Sequence, residues 1–159
     1  MIRIPLPGSV PVELNHLVCD FNGTLAVDGR LVEGVAERLV RLAKVVPVTV
    51  LTSDTVGTAQ DELATLPVSV KIVETGREPG EEAAAKRTFA EALGPGVVFL
   101  GNGANDVGGV ETATLSIVVL GREGAAGKAI ASASLVVSSP VDALDLLLHP
   151  SRMISGLRQ

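Results

Sequence analysis

Tryptophan and tyrosine are absent from this 159-residue sequence, and phenylalanine occurs only at Phe21, Phe89 and Phe99. So few rings leave little for bases to stack on. Thirteen basic against 18 acidic residues, a formal charge of -5, give no positive footprint for a phosphate backbone. Nucleic acid is therefore not an expected partner. The single cysteine, Cys19, excludes an internal disulfide and with it the stapled secreted scaffolds. Apolar runs such as Val45 to Leu51 fall far short of the roughly 18 residues a membrane span needs, and no charged start leads into an apolar stretch. The expectation is a cytoplasmic protein with no membrane partner.

What is present is greasy. Apolar residues make up 47% and charged residues 19%, with a mean hydropathy of +0.43, which excludes a disordered chain. The length suits one domain over residues 1–159, and no repeat or linker divides it. Short runs rich in Val, Ile and Leu recur at His16 to Phe21, Pro47 to Thr52, Val68 to Val73, Val97 to Leu100, Leu115 to Leu120 and Leu135 to Ser138. They are nearly continuous rather than alternating, as buried parallel strands are. Helical spacing lies between them: Val35, Leu39 and Leu42; Ala59 and Leu63; Ala85, Phe89 and Leu93; a short segment after Asp106; Ala125 to Ala131; and Val141 to Leu148, with Ser139 as cap and Pro140 at the first helical position. The pattern predicts an α/β fold, a doubly wound parallel sheet in three layers. The first thirteen residues, around Pro7-Gly8, suit a small hairpin, and the tail after His149-Pro150 suits the surface.

Ligands of an open parallel sheet collect beyond the carboxyl ends of its strands. The first core strand ends in Asp20-Phe21-Asn22-Gly23-Thr24-Leu25, the second in Thr52-Ser53-Asp54, and the fourth in Gly101-Asn102-Gly103-Ala104-Asn105-Asp106. Each has a plain structural alternative. Asp20, Asp106 and Thr52 are all suited to capping turns or helices, and Gly101-Asn102-Gly103 to a tight turn. A dinucleotide loop is a poor match, because Asp106 stands where the third glycine belongs and the loop follows the fourth strand.

The segment Asp20 to Leu25, DFNGTL, resembles the first motif of the haloacid dehalogenase (HAD) superfamily, Asp-x-Asp-Gly-Thr/Val. Leu51-Thr52 resembles the second motif, Lys86 matches the lysine of the third, and the stretch from Gly101 resembles the fourth, close to the Gly-Asp-Gly-x-Asn-Asp of P-type ATPases. The resemblance runs from about His16 to Leu148 and implies a capless, soluble, P-type-ATPase-like phosphohydrolase acting on a phosphorylated substrate. It implies Asp20 as a nucleophile forming an aspartyl phosphate, with Thr52 and Lys86 on the transferring group. Loop amides near Phe21 and Ser53 add donors. Mg²⁺ would be held by Asp20, the Asn22 carbonyl and a side chain of the fourth loop, Asn102 or Asp106.

Elementary chemistry agrees with these roles. A phosphate dianion repels a carboxylate, so attack needs cations and hydrogen-bond donors at the phosphoryl oxygens, and Mg²⁺ prefers oxygen ligands. The alternative for Lys86 is a solvated lysine on a helix face shared with Glu82 and Glu91.

Two family aspartates are asparagines here. Asn22 occupies the general acid/base position, where an amide moves no proton, so alkyl esters are expected to be poor substrates. Asn102 replaces a metal-ligating aspartate, which removes a negative charge and lowers the expected Mg²⁺ affinity; Asp106 is a candidate to compensate. Both asparagines precede glycine, which leaves slow deamidation to aspartate open. Cys19 reads as a buried small side chain, His16 and His149 as no zinc site, Asp54 as a loop or helix cap, and Asp28-Gly29 as a turn. The stretches from Thr24 to Glu33 and from Val73 to Val97 are too short for a cap domain. The site should then be open, or covered by another copy in a homo-oligomer. The leading expectation is a Mg²⁺-dependent phosphohydrolase, and the alternative is a non-catalytic phosphate- or protein-binding module.

Overall fold

A computed structural model describes residues 1–157 apart from 75 and 77. The chain opens with the expected hairpin, β1 (Ile2–Ile4) paired antiparallel with β2 (Val12–Leu14). The first core strand, β3 (His16–Cys19), is followed by a two-residue-per-arm hairpin of β4 (Ala26–Val27) and β5 (Arg30–Leu31). Its tip is the predicted Asp28-Gly29 turn, where both residues have positive φ, 51° and 74°, as a two-residue hairpin loop requires. Helix α1 (Val35–Ala43), strand β6 (Val48–Thr52), helix α2 (Ala59–Leu63), strand β7 (Ser69–Ile72) and helix α3 (Glu81–Leu93) come next. Strand β8 (Val97–Gly101) leads through a 3-10 turn, Ala104–Asp106, into α4 (Val107–Thr112). The chain then forms β9 (Leu115–Val119), α5 (Gly127–Ser132), β10 (Leu135–Val137), α6 (Pro140–Leu148) and a final short α7 (Ile154–Leu157).

The six core strands form one parallel sheet in the order β10-β9-β8-β3-β6-β7. From β3 the chain winds outward through β6 and β7, then returns and winds the other way through β8, β9 and β10. The gap between β3 and β8 is thus the switch point of a doubly wound sheet, where loops splay apart and leave a crevice. Side chains alternate across each strand. Leu17, Cys19, Val98 and Leu100 face a core shared with α1, α2, α6 and the N-terminal hairpin, whereas Val18 and Phe99 face α3, α4 and α5. Helix α6 is capped as predicted, the Asp142 amide donating to Ser139 Oγ at 3.1 Å. Arg38 donates from Nε and Nη2 to the two oxygens of Asp145, at 2.8 and 3.1 Å, and so fastens α1 to α6.

Three expectations need correction. The runs at the two sheet edges are not buried: β7 and β10 are partly exposed, since an edge strand has a neighbour on one side only. On α3 the fully buried positions are Lys86 and Ala90, with Ala85, Phe89 and Leu93 only partly covered, because the helix turns Lys86 toward the acidic groups at the sheet end. The C-terminal tail does not merely lie on the surface. Met153 is buried in the larger core, which anchors the last turns; residues 158 and 159 lie outside the described residues.

Candidate active site

The Asp20 amide donates to the Leu100 carbonyl at 2.8 Å, continuing the ladder between β3 and β8 one residue beyond the strand. The next loop is tight. The Phe21 carbonyl accepts from the amides of Thr24, Leu25 and Ala26, and Phe21 itself is fully buried. These bonds fix Asp20 at the switch point with only 4% of its surface exposed.

Lys86 reaches the same point from α3 with no exposed surface. Its Nζ donates to Asp20 Oδ1 at 2.9 Å and to Asp106 Oδ1 at 2.7 Å, and lies 3.0 Å from Glu82 Oε1 one helical turn back. Burial works against its charge, but Asp20, Asp106 and Glu82 together hold the ammonium well above the usual lysine range. Burial pushes the Asp20 carboxyl up to about 7, repulsion from Asp106 adds to this, and Lys86 opposes it. Lys86 is therefore a buried, fixed cation and not a solvated surface lysine. Cys19 is inert, its thiol pushed up by burial and by Asp20.

Asp106 does not point a free oxygen at a cation site. Its Oδ1 takes Lys86, and its Oδ2 accepts from the amides of Asn102 and Gly103, both at 2.9 Å. Both oxygens of Asp106 are thus engaged, and the carboxylate, folded under its own loop, braces Lys86 and shapes that loop. Gly101 is required for this, because a Cβ there would strike the Asp106 side chain.

Asn102 lies beside the first loop. Thr24 Oγ1 donates to Asn102 Oδ1 at 3.1 Å, and Asn102 Nδ2 donates to the Gly124 carbonyl at 3.0 Å. Asn22 Oδ1 is buried with no hydrogen-bond partner among the described residues. Thr52 is buried at the end of β6, where its Oγ1 accepts from the Asp54 amide at 3.0 Å and keeps its own proton free to donate. Asp54, with φ of 49°, accepts from the Ala59 amide at the start of α2, the capping alternative. Ser53 is half-buried beside it.

Residues not singled out in the sequence complete the constellation. Asn105 Nδ2 donates to Glu82 Oε1 at 2.8 Å, so Glu82 ties α3 to the fourth loop as well as pairing with Lys86. The spacing of Glu82 and Lys86, four residues apart on one helix, was the available signal. Among the described residues no three His, Cys, Asp or Glu side chains converge as a ready metal-ligand set. The donor chemistry nevertheless suits a hard cation. Three carboxylates surround one ammonium, leaving negative charge unbalanced, and the Asn22 amide oxygen is an unmatched acceptor.

The architecture is that of the HAD phosphatases. The cobalt-bound deoxy-D-mannose-octulosonate 8-phosphate phosphatase of Haemophilus influenzae superposes with a TM-score of 0.70 at 14% identity, over 90% of this chain and 92% of that one. The 3-deoxy-D-manno-octulosonate 8-phosphate phosphatase of Moraxella catarrhalis, in complex with magnesium, phosphate and its sugar acid, gives 0.70 at 13% identity over 89% and 90%. A Streptomyces avermitilis protein assigned to the HAD family of hydrolases gives 0.65 at 19% over 96% and 93%. No protein-family model matches the sequence. The chain belongs to one family with the uncharacterized protein MJ0073 of Methanocaldococcus jannaschii, to which it is 40% identical over 79 residues, 46% of this chain and 85% of the archaeal one. No helix among the described residues is long and apolar enough to cross a membrane.

Proposed function

We propose that the protein is a Mg²⁺-dependent phosphohydrolase that works through an aspartyl phosphate on Asp20. The observation that carries this reading is the buried Lys86 ammonium held between Asp20 and Asp106 at a sheet switch point. A lysine fully buried against the nucleophile supplies fixed positive charge where phosphoryl oxygens would gather. The likeness in fold to phosphatases, two of them with cobalt or magnesium bound, supports the same class.

In the first step an Asp20 carboxylate oxygen attacks phosphorus, a P–O bond forms, and the bond to the leaving oxygen breaks with its electron pair. Thr52 and Lys86 donate to the phosphoryl oxygens, and loop amides after Asp20 and Thr52 add to them. In the second step water attacks phosphorus, the Asp20–phosphorus bond breaks, and Asp20 returns with release of inorganic phosphate. Asn22 neither protonates the leaving oxygen nor takes the proton of that water. The favoured substrates are therefore those whose leaving group needs no proton, aryl and acyl phosphates. Mg²⁺, when bound, would neutralise charge on the nucleophile and the phosphoryl group; the Asp20 carboxylate, the Asn22 carbonyl and the Asn102 amide oxygen are the groups that would hold it.

The amide of Asn22, which can move no proton, is what favours a second reading, a module that binds phosphate without turning it over. Incubating the protein with Mg²⁺ and ³²P-labelled acetyl phosphate decides between them. Acid-stable, hydroxylamine-labile label that is absent from Asp20→Asn supports the enzyme, and binding without label supports the module.

A further inference from the structure

The Lys86 ammonium has three protons to give, and its surroundings divide them unequally. Two are committed to hydrogen bonds, with Asp20 Oδ1 at 2.9 Å and Asp106 Oδ1 at 2.7 Å. Glu82 Oε1 stands 3.0 Å away as the third carboxylate. A phosphoryl oxygen arriving at Lys86 must therefore take over from one of these three neighbours, because the ammonium has no further donor.

The three are not equally free to give way. Asp106 has no exposed surface, and its other oxygen already holds the Asn102 and Gly103 amides, so parting it from Lys86 would strand a charge inside the protein. Asp20 is the proposed nucleophile, and its bond to Lys86 fixes the attacking carboxylate in place. Glu82 differs from both. Its side chain is 18% exposed, against 6% for Asp20 and none for Asp106. It lies in the first turn of α3, where the helix end favours negative charge, and the same Oε1 accepts from Asn105 Nδ2 at 2.8 Å. Glu82 can thus release Lys86 and still keep a partner.

We propose that Glu82 is a built-in competitor for the phosphoryl group: its carboxylate pairs with Lys86 until a phosphoryl oxygen displaces it. Held beside the bound anion by Asn105, its negative charge then weakens binding and favours release of inorganic phosphate. Glu82 sets affinity; it is neither a nucleophile nor a metal ligand. The inference rests on the proposed function only in bringing a phosphoryl group to Lys86, which the enzyme and the binding module both require.

The test is calorimetric titration of the full chain with inorganic phosphate at saturating Mg²⁺. Glu82→Gln keeps the size of the side chain and an oxygen for Asn105 but removes the charge, and it should lower the Kd for phosphate by about tenfold. Glu82→Met removes the same charge through a different side chain and should also tighten binding, with melting temperatures identifying a folding defect in either variant. Glu81→Gln removes an equal charge from an exposed position on the same helical turn and should change the Kd by less than about twofold. A merely structural Glu82 would give unchanged or weaker binding when replaced. That result, a gain in Glu81→Gln equal to the gain in Glu82→Gln, or no phosphate binding in any of the four proteins would overturn the proposal. The measurement needs no turnover. Tighter binding in Glu82→Gln without label on Asp20 removes the enzyme reading alone, and label on Asp20 without tighter binding removes this one alone.

Discussion

Lys86 Nζ stands 2.7 Å from Asp106 Oδ1, 20 residues away in sequence, and neither side chain has any surface exposed. Removing one member of a buried pair strands the other, which typically costs about 3–5 kcal/mol. Lys86→Met should therefore destabilise the fold by about that amount and abolish labelling of Asp20. Adding Asp106→Asn to Lys86→Met should recover part of the stability but none of the labelling. Urea denaturation of the single and double variants checks this, and additive losses would contradict the coupling.

Asp20 provides a pH signature. Its carboxyl is raised from 3.8 to about 7 by burial and by Asp106, so the folded state favours the protonated form. Below pH 4 both folded and unfolded chains hold the proton. Between pH 4 and 7 the unfolded chain releases it and the folded chain does not, so stability falls as pH rises and levels off above 7. In EDTA, Asp20→Asn should therefore be more stable than the wild type at pH 8, by on the order of 4 kcal/mol, with the advantage vanishing toward pH 4. Denaturation curves across this range report it; a wild type that gains on the variant with rising pH would contradict the assignment.

Asn22→Asp should restore a proton carrier beside the nucleophile. Hydrolysis of alkyl phosphates should rise by about a hundredfold or more, while p-nitrophenyl phosphate, whose leaving group needs no proton, should gain much less. Parallel kinetics on the two ester types make the comparison. Equal gains on both would show that Asn22 is not at the proton-transfer position.

Asn102→Asp should tighten Mg²⁺ binding, since it adds a negative charge to the oxygen ligands. The Mg²⁺ concentration at half-maximal stabilisation in a thermal melt should drop by about tenfold. No change would mean that Asn102 lies outside the metal's reach.

Deamidation at Asn22-Gly23 and Asn102-Gly103 should be slow in the folded protein. It needs the glycine amide to attack the asparagine side chain, and both amides are engaged: Gly23 donates to the Ala26 carbonyl and Gly103 to Asp106 Oδ2, each at 2.9 Å. Peptide mass analysis of aged native protein should find asparagine at both sites, and unfolded protein should convert faster.

Much of this arrangement was legible in the residues. Continuous apolar runs such as Val48–Thr52 and Leu115–Val119 read directly as parallel strands, and both are wholly buried. Asp20, Thr52 and Asn102 were recognisable as site candidates from their places at or beyond strand ends. The rotation of α3 was less accessible. Apolar spacing pointed to Ala85, Phe89 and Leu93, and a lysine in such a helix normally signals solvent. Burial of Lys86 becomes intelligible only once Asp20 and Asp106, from two other elements, are beside it. The role of Asp106 was hidden for a similar reason, because whether a carboxylate faces a cation or its own loop amides depends on the backbone path between Gly101 and Asp106.

The amino-acid sequence by itself determined the strands, their chain order and the residues that close them, since hydrophobic period and chain punctuation act within a few neighbouring positions. The tertiary structure alone decided which polar groups meet: Lys86 with three carboxylates, Thr24 with Asn102, and Glu82 with Asn105. Those contacts depend on strand order and helix rotation, which arise from packing among distant segments and leave no periodic trace in any one of them.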